Sequence, residues 1–199
     1  MKISSDSKQC NITAICCFPD GQILVADLSN KNVKLLDQQY QVVSHCSVTT
    51  RPLDVCPITP SEVAVVGDDK IIHEVQFITV KNRQLLIERK LQLQHICGGI
   101  ACHQEDLYIT SNAALYKHTM SGKLVSKMYE DTSGLFTVHK VAVKPTGYKL
   151  YITNLSHNKL LTLARDGSIL ATFTDPELKW PCGVNVTPAG QVLVVCEGP

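Results

Sequence analysis

The sequence carries no surplus of either charge: 19 Lys and Arg stand against 18 Asp and Glu in 199 residues, a formal net charge of +1 at pH 7. A chain so balanced lacks the global field that draws in nucleic acid or anionic membrane, and a basic surface would have to be local. Long apolar runs are missing too. Runs such as Ile23-Leu24-Val25-Ala26 and Val63-Ala64-Val65-Val66 fall far short of the roughly 18 residues of a spanning helix, so no membrane partner is expected. The first residues, Met1-Lys2-Ile3-Ser4-Ser5-Asp6, are polar at once and lack the apolar centre of a secretory signal, which points to a cytoplasmic location. Aromatics make up only 6%. No Cys-x-x-Cys pair and no Gly-x-Ser-x-Gly occur, which argues against a zinc module and against a nucleophile elbow.

Cysteine, by contrast, is plentiful. Cys10, Cys16, Cys17, Cys46, Cys56, Cys97, Cys102, Cys182 and Cys196 are odd in number, and several lie inside apolar runs. Reduced thiols that pack as small hydrophobes fit this better than a disulfide framework.

What the sequence has most clearly is a repeat. The runs beginning at Ile23, Val63, Leu107, Leu150 and Val192 resemble one another and follow at steps of 40, 44, 43 and 42 residues. Each is short and β-branched or aromatic, the signature of a buried strand. Before three of them stands a Pro-x-Gly turn: Phe18-Pro19-Asp20-Gly21, Lys144-Pro145-Thr146-Gly147 and Thr187-Pro188-Ala189-Gly190. Proline sets φ at the start of such a turn and glycine supplies the positive φ, so an apolar strand before it and the run after it form a hairpin. A polar bend, a third strand, a turn such as Arg165-Asp166-Gly167-Ser168 and a fourth strand complete each unit.

Four antiparallel strands in a cycle of about forty residues describe a propeller blade. The expected fold is all-β, a single incomplete β-propeller domain over 1–199, with blades at 10–48, 49–93, 94–134 and 135–178 and a half blade at 179–199. Such a set of about four and a half four-stranded blades is expected to be a fragment of a ring of about six. Residues 2–8 are expected to supply an outermost strand to a blade completed elsewhere.

The stretch from Phe18-Pro19-Asp20-Gly21 through Asn30-Lys31-Asn32-Val33 to Asp37 resembles the opening blade of the NHL-type propellers of tripartite-motif and B-box proteins. Arg51-Pro52-Leu53-Asp54-Val55 and Trp180-Pro181-Cys182-Gly183-Val184 are similar to the motif that starts inner strands in that family. The resemblance implies a partner-selecting domain of a ubiquitin ligase. In such proteins the transfer chemistry lies in a RING domain and oligomerisation in a coiled coil, neither of which is among these residues.

Candidate chemistry is sparse. A propeller metal site would draw on Asp54, His139 and Asn185, but no Glu or second His recurs at equivalent positions, and the expectation is no metal and no cofactor. Cys97-Gly98-Gly99 has no spacing-identified His partner; Cys97 reads as packing and the glycines as room at a crowded strand. No catalytic residue is assigned, and the chain is expected not to be an enzyme. Single-stranded RNA is the alternative partner, through Lys31, Lys34, Lys140, Lys144, Lys149, Lys159, Arg165 and Lys179, but the few aromatics and the absent net charge disfavour it. Recognition of a protein partner is assigned instead to the loops after the second strands, at Asn30, Lys31, Asn32, Asp68, Asp69, Asn112, His157 and Asn158.

Overall fold

The computed structural model describes residues 1–198. Among them there is no helix, only eighteen strands. Four antiparallel sheets follow one another along the chain: β1 (Ile12–Cys17) to β4 (Val42–Ser47), β5 (Arg51–Thr59) to β8 (Gln84–Gln92), β9 (Gly99–His103) to β12 (Leu124–Glu130), and β13 (Val141–Val143) to β16 (Ile169–Thr174). A two-stranded sheet, β17 (Pro181–Val186) with β18 (Val192–Cys196), comes last. In every four-stranded sheet the strands pair in chain order, as short turns dictate. The five runs that set the repeat are β2 (Ile23–Asp27), β6 (Glu62–Asp68), β10 (Asp106–Ser111), β14 (Lys149–Asn154) and β18.

The chain divides into two compact units, Met1–Cys97 and Gly98 onward. In the core of the first, Leu24, Ala26, Val33 and Leu35 of one sheet meet Val55, Val63, Val65 and Ile78 of the next. These residues alternate along their strands, so one face of each sheet is buried against its neighbour. In the second unit Tyr108 and Leu115 pack on Leu150, Ile152, Leu161 and Leu163, and the other face of that sheet, through Tyr151 and Leu160, receives Val184, Val186, Val192 and Val194 of the half blade.

The structure departs from sequence expectation at three places. Residues 2–8 form no strand; within the segment lies Asp6, whose carboxylate is buried beside the first sheet. The strand expected over 138–143 shrinks to Val141–Val143, because His139 and Lys140 both stand opposite Thr153: the His139 amide donates to the Thr153 carbonyl, and Thr153 donates back to Lys140. That extra residue bends the chain and re-aims His139. All nine cysteines are free, but Cys17 and Cys196 are exposed, so only part of the set serves as core.

Glycine matters most at Gly167, with φ +92°, in the turn joining β15 (Lys159–Ala164) to β16. A Cβ there would run into the carbonyl oxygen of Met128, which is backbone and cannot rotate away. Gly167→Ala is expected to cost about 1–3 kcal/mol, combining a strained φ with a displaced strand; denaturant unfolding with a midpoint matching wild type would refute this.

Candidate recognition site

Strand register gathers the loops of interest at one end of each sheet. Ile12 pairs with Asp27, Asp27 with Asn32 and Asn32 with Ser47, so the start of the first strand, the turn between second and third, and the exit of the fourth lie together. All eight loop residues assigned from sequence fall in or beside these turns.

In the first unit most of them are used internally. Asn32 is buried and its amide donates to Asp6 Oδ1 (3.1 Å). Asn30 donates to Asp27 and exchanges two hydrogen bonds with the backbone of Lys8. Asp68 holds His73 Nδ1 at 3.0 Å and accepts the amide of Cys97. Lys31 and Asp69, however, reach from adjacent turns to form a half-exposed ion pair of 2.8 Å.

Beneath these turns lies a charged cluster that the sequence did not announce. Lys34 of β3 (Asn32–Leu36) has no exposed surface, and its ammonium lies 2.7 Å from Asp6, 2.8 Å from Asp27 and 3.2 Å from Cys10 Sγ. Burial pushes the Asp6 carboxyl up, but hydrogen bonds from Lys34, the Ile3 amide and Asn32 outweigh it and hold the pKa at about 2. Asp27 is likewise held well below the usual carboxylate range, its burial outweighed by Lys34, Asn30 and the Asn11 amide. Among the described residues, Asp6, Cys10 and Asp27 are the one group close enough to share a metal ion. The donor set does not fit one: both carboxylates are filled by the protein's own N–H donors, and Lys34 supplies the cation.

The second unit presents a different surface. Phe136, ahead of β13, and Trp180, ahead of β17, have φ of 54° and 50° and are 41% and 58% exposed. A bulky residue in the left-handed region is strained by about 1–3 kcal/mol and needs its surroundings to hold it there. Those surroundings are visible. The Phe136 carbonyl accepts the amide of Leu155, the Trp180 carbonyl that of Glu197, and Asn158 Oδ1 accepts the amide of Trp180 (2.9 Å). Both aromatics are therefore fastened to the end of their sheets, Trp180 directly and Phe136 through Leu155 to the same 155–158 turn. Leu135, still more exposed, directly precedes Phe136, with the Ser156 hydroxyl donating to its carbonyl. Of the sequence-assigned residues, His157 and Asn158 belong to this rim; Asn112 lends its carbonyl to the Val138 amide.

Beneath Phe136, His139 meets its ring edge-on at 5.8 Å. Burial, aided by Lys140, lowers the His139 pKa to about 4, leaving a neutral imidazole. Because the unfolded chain takes up that proton near 6.5, stability should fall as pH drops below about 6.5 and level off near 4. His139→Gln should flatten that segment of the stability profile; an unaltered slope would contradict the burial of this ring.

The remaining sequence candidates lie on different sheets or ahead of them. Asp54 Oδ1 accepts the amide of Val55 in the first unit, while His139 and the exposed Asn185 belong to the second. Burial, with help from Asp68, pushes the Cys97 thiol up to about 12, the opposite of an activated nucleophile. Gly99 is crowded by the His139 carbonyl and Thr110, as its reading from sequence required. Of the lysines suited to RNA, Lys34 is fully buried, Lys31 is paired with Asp69 and Lys140 donates to the Gly98 carbonyl. Phe136 and Trp180 themselves escaped sequence reasoning. The available signal was that the chain's one tryptophan stands directly before a proline at the start of an inner strand.

No family model and no curated protein matches this chain. Solved structures do. Virginiamycin B lyase from Staphylococcus aureus aligns with 96% of this chain and 71% of its own at 11% identity, TM-score 0.67. The catalytically inactive H270A form of that lyase, with quinupristin, aligns with 100% and 73% at 14% identity, TM-score 0.67. Hydrazine synthase from Kuenenia stuttgartiensis aligns with 98% of this chain but 58% of its own at 15% identity, TM-score 0.68. The fold is a partial β-propeller. At such identities the likeness shows fold alone, and no match supports the NHL or tripartite-motif family in particular. The expectation that the chain is not an enzyme is corrected by the same finding: these structural neighbours are enzymes, so a propeller without an obvious nucleophile in its sequence gives no ground for excluding catalysis.

Proposed function

We propose that the chain is a partner-recognition propeller acting in the cytoplasm, with Phe136, Trp180 and Leu135 as the anchors that seat a protein ligand. The supporting observation is that two bulky aromatics are held exposed, in strained backbone, at one end of the second unit. Exposed Trp and Phe on a rigid frame give large contact area at low entropic cost, which is how binding hot spots are built. The resemblance of the turns to NHL-type propellers supports a role in selecting substrates for a ubiquitin ligase, with the pair Lys31–Asp69 marking a second, polar contact region on the first unit.

Peptides selected from a random display library against the chain test this reading. Selected peptides should lose at least about tenfold in affinity for the Trp180→Ala, Phe136→Ala double variant. Peptides that bind both proteins equally would sink it. A pool of single-stranded RNA, retained by wild type and lost steeply with salt and with Trp180→Ala, would turn the same rim into a stacking platform for bases.

A second reading, catalysis at this end of the second unit, is favoured by the likeness to lyase structures, although the His139 imidazole beneath Phe136, with its pKa lowered to about 4, is a weak base there. Incubation with quinupristin, followed by mass spectrometry, tests it; an unchanged ligand would count against this second reading.

A further inference from the structure

The first unit holds a polar cleft apart from its charged cluster and its Lys31–Asp69 pair. It lies at the end of the sheets away from the Asp27 and Asn32 turn, where Cys17 pairs with Ile23, Ile23 with Leu36 and Leu36 with Val42. Its volume is about 320 Å³, at the small end for ligand sites. One wall comes from the first sheet: Asp20 and Gln22 from the turn between β1 and β2, Asp37 and Gln38 from the turn between β3 and β4. The other is the turn between β7 (His73–Lys81) and β8 of the second sheet, which supplies Asn82 and Arg83. Gln22 is the residue this arrangement leaves unsatisfied. It is only 8% exposed, and its side-chain amide has no hydrogen-bond partner among the described residues. The described residues whose unpartnered side-chain atoms are sealed from solvent are Asn32, Gln76 and His103, and Gln22 is not one of them. Its amide therefore opens onto the cleft that it lines, offering both a donor and an acceptor.

The two walls carry opposite charge. Asp20 Oδ1 accepts the amide of Gln22 (3.0 Å), and Asp37 Oδ1 accepts those of Gln39 (3.0 Å) and Gln41 (2.9 Å), which fixes both side chains. Their second oxygens, and the Arg83 guanidinium across the cleft, have no partner among the described residues. Gln38 Nε2 donates to the Asp20 carbonyl (2.8 Å) and ties the two turns of the first wall together. Two carboxylates against one guanidinium leave the lining with a surplus of one negative charge, and Val80 is its only apolar side chain.

We propose that this cleft binds a free basic α-amino acid. The ligand's carboxylate takes the fork of the Arg83 guanidinium, its α-ammonium and side-chain cation take Asp20 and Asp37, and the Gln22 amide meets a remaining polar atom. Three charges of the ligand thus answer three charges of the cleft, each on the wall of opposite sign. A neutral amino acid leaves one carboxylate unanswered, and a diamine without a carboxylate leaves Arg83 so. The proposal is independent of the aromatic rim, which belongs to the second unit.

The probe is L-arginine, titrated into the whole chain at low salt and followed by calorimetry. It should bind saturably with a Kd of about 1 mM or tighter, and agmatine, which lacks the carboxylate, and N-acetyl-L-arginine, which lacks the α-ammonium, should each bind at least about tenfold more weakly. Arg83→Gly is the deciding variant. Asn82 and Arg83 have φ of 51° and 61° in a two-residue hairpin turn, for which Asn-Gly is a preferred pair, so the fold is kept while the guanidinium is removed. On this variant L-arginine should fall to the affinity of agmatine. Asp37→Asn keeps an oxygen for the two turn amides and should weaken L-arginine by about tenfold. No saturable binding of L-arginine, equal binding of agmatine to the wild type, or an Arg83→Gly variant that binds as the wild type does would overturn the proposal. N-acetyl-L-arginine binding as tightly as L-arginine would overturn it in favour of a peptide C-terminus.

Discussion

Replacing Lys34 by methionine is expected to cost about 3–5 kcal/mol at pH 7 in denaturant unfolding, enough to unfold the first unit of a marginally stable chain. The loss comes less from the missing attraction than from what remains: Asp6 and Asp27, both buried, would face each other without a cation. The pH dependence then changes sign. In the wild type both carboxyls are depressed, so their contribution is fully present above about pH 4 and is lost as pH falls, that of Asp6 through about 2 and that of Asp27 lower still. In the variant, burial and mutual repulsion raise them above their unfolded values, so stability should fall as pH rises from about 4. Adding Asp6→Asn and Asp27→Asn to Lys34→Met should recover most of the loss, since a neutral hydrogen-bonded cluster carries no unpaired charge. A single variant as stable at pH 7 as at pH 4 would show that Lys34 does not neutralise this pair.

Trp180→Gly, combined with Phe136→Gly, should separate stability from recognition in opposite directions. Glycine accepts φ near +50° without strain, and Trp180 has little packing to lose, so unfolding free energy should stay level or rise by up to about 1 kcal/mol per site despite the removal of large side chains. Ligand affinity should meanwhile drop by about tenfold to several hundredfold, the usual loss when hot-spot aromatics are truncated. Strain tolerated in the free protein and repaid on binding has this signature. If both substitutions destabilise by 3 kcal/mol or more, as truncation in a packed core does, the rings are structural and the rim is not a binding surface.

The two results bear on how far the sequence could be read. Pro145-Thr146-Gly147 and Pro188-Ala189-Gly190 betray their hairpins because the constraint is local: proline fixes one dihedral and glycine releases another within the same turn. The runs at β2 and β14 betray buried strands because all but the first residue of each is buried. Nothing local distinguishes Asn32, which is buried against Asp6, from Lys31 beside it, which reaches solvent and Asp69. Side chains alternate across a strand, and which side is covered depends on a segment that lies elsewhere in the chain. Nor does anything local mark Phe136 as exposed: its carbonyl is held by the amide of Leu155, remote in sequence, with its backbone at φ 54°.

The sequence by itself determined the sheet unit, its period and its turns, because strand, turn and alternation are decided within a few residues by dihedral preference and burial. Tertiary structure alone decided which polar residues are consumed within the protein, as at Asp6 and Lys34, and which aromatics remain at the surface, as at Trp180. Those outcomes depend on pairings between residues remote in the chain, and neither composition nor spacing encodes what a side chain meets once the sheets have packed.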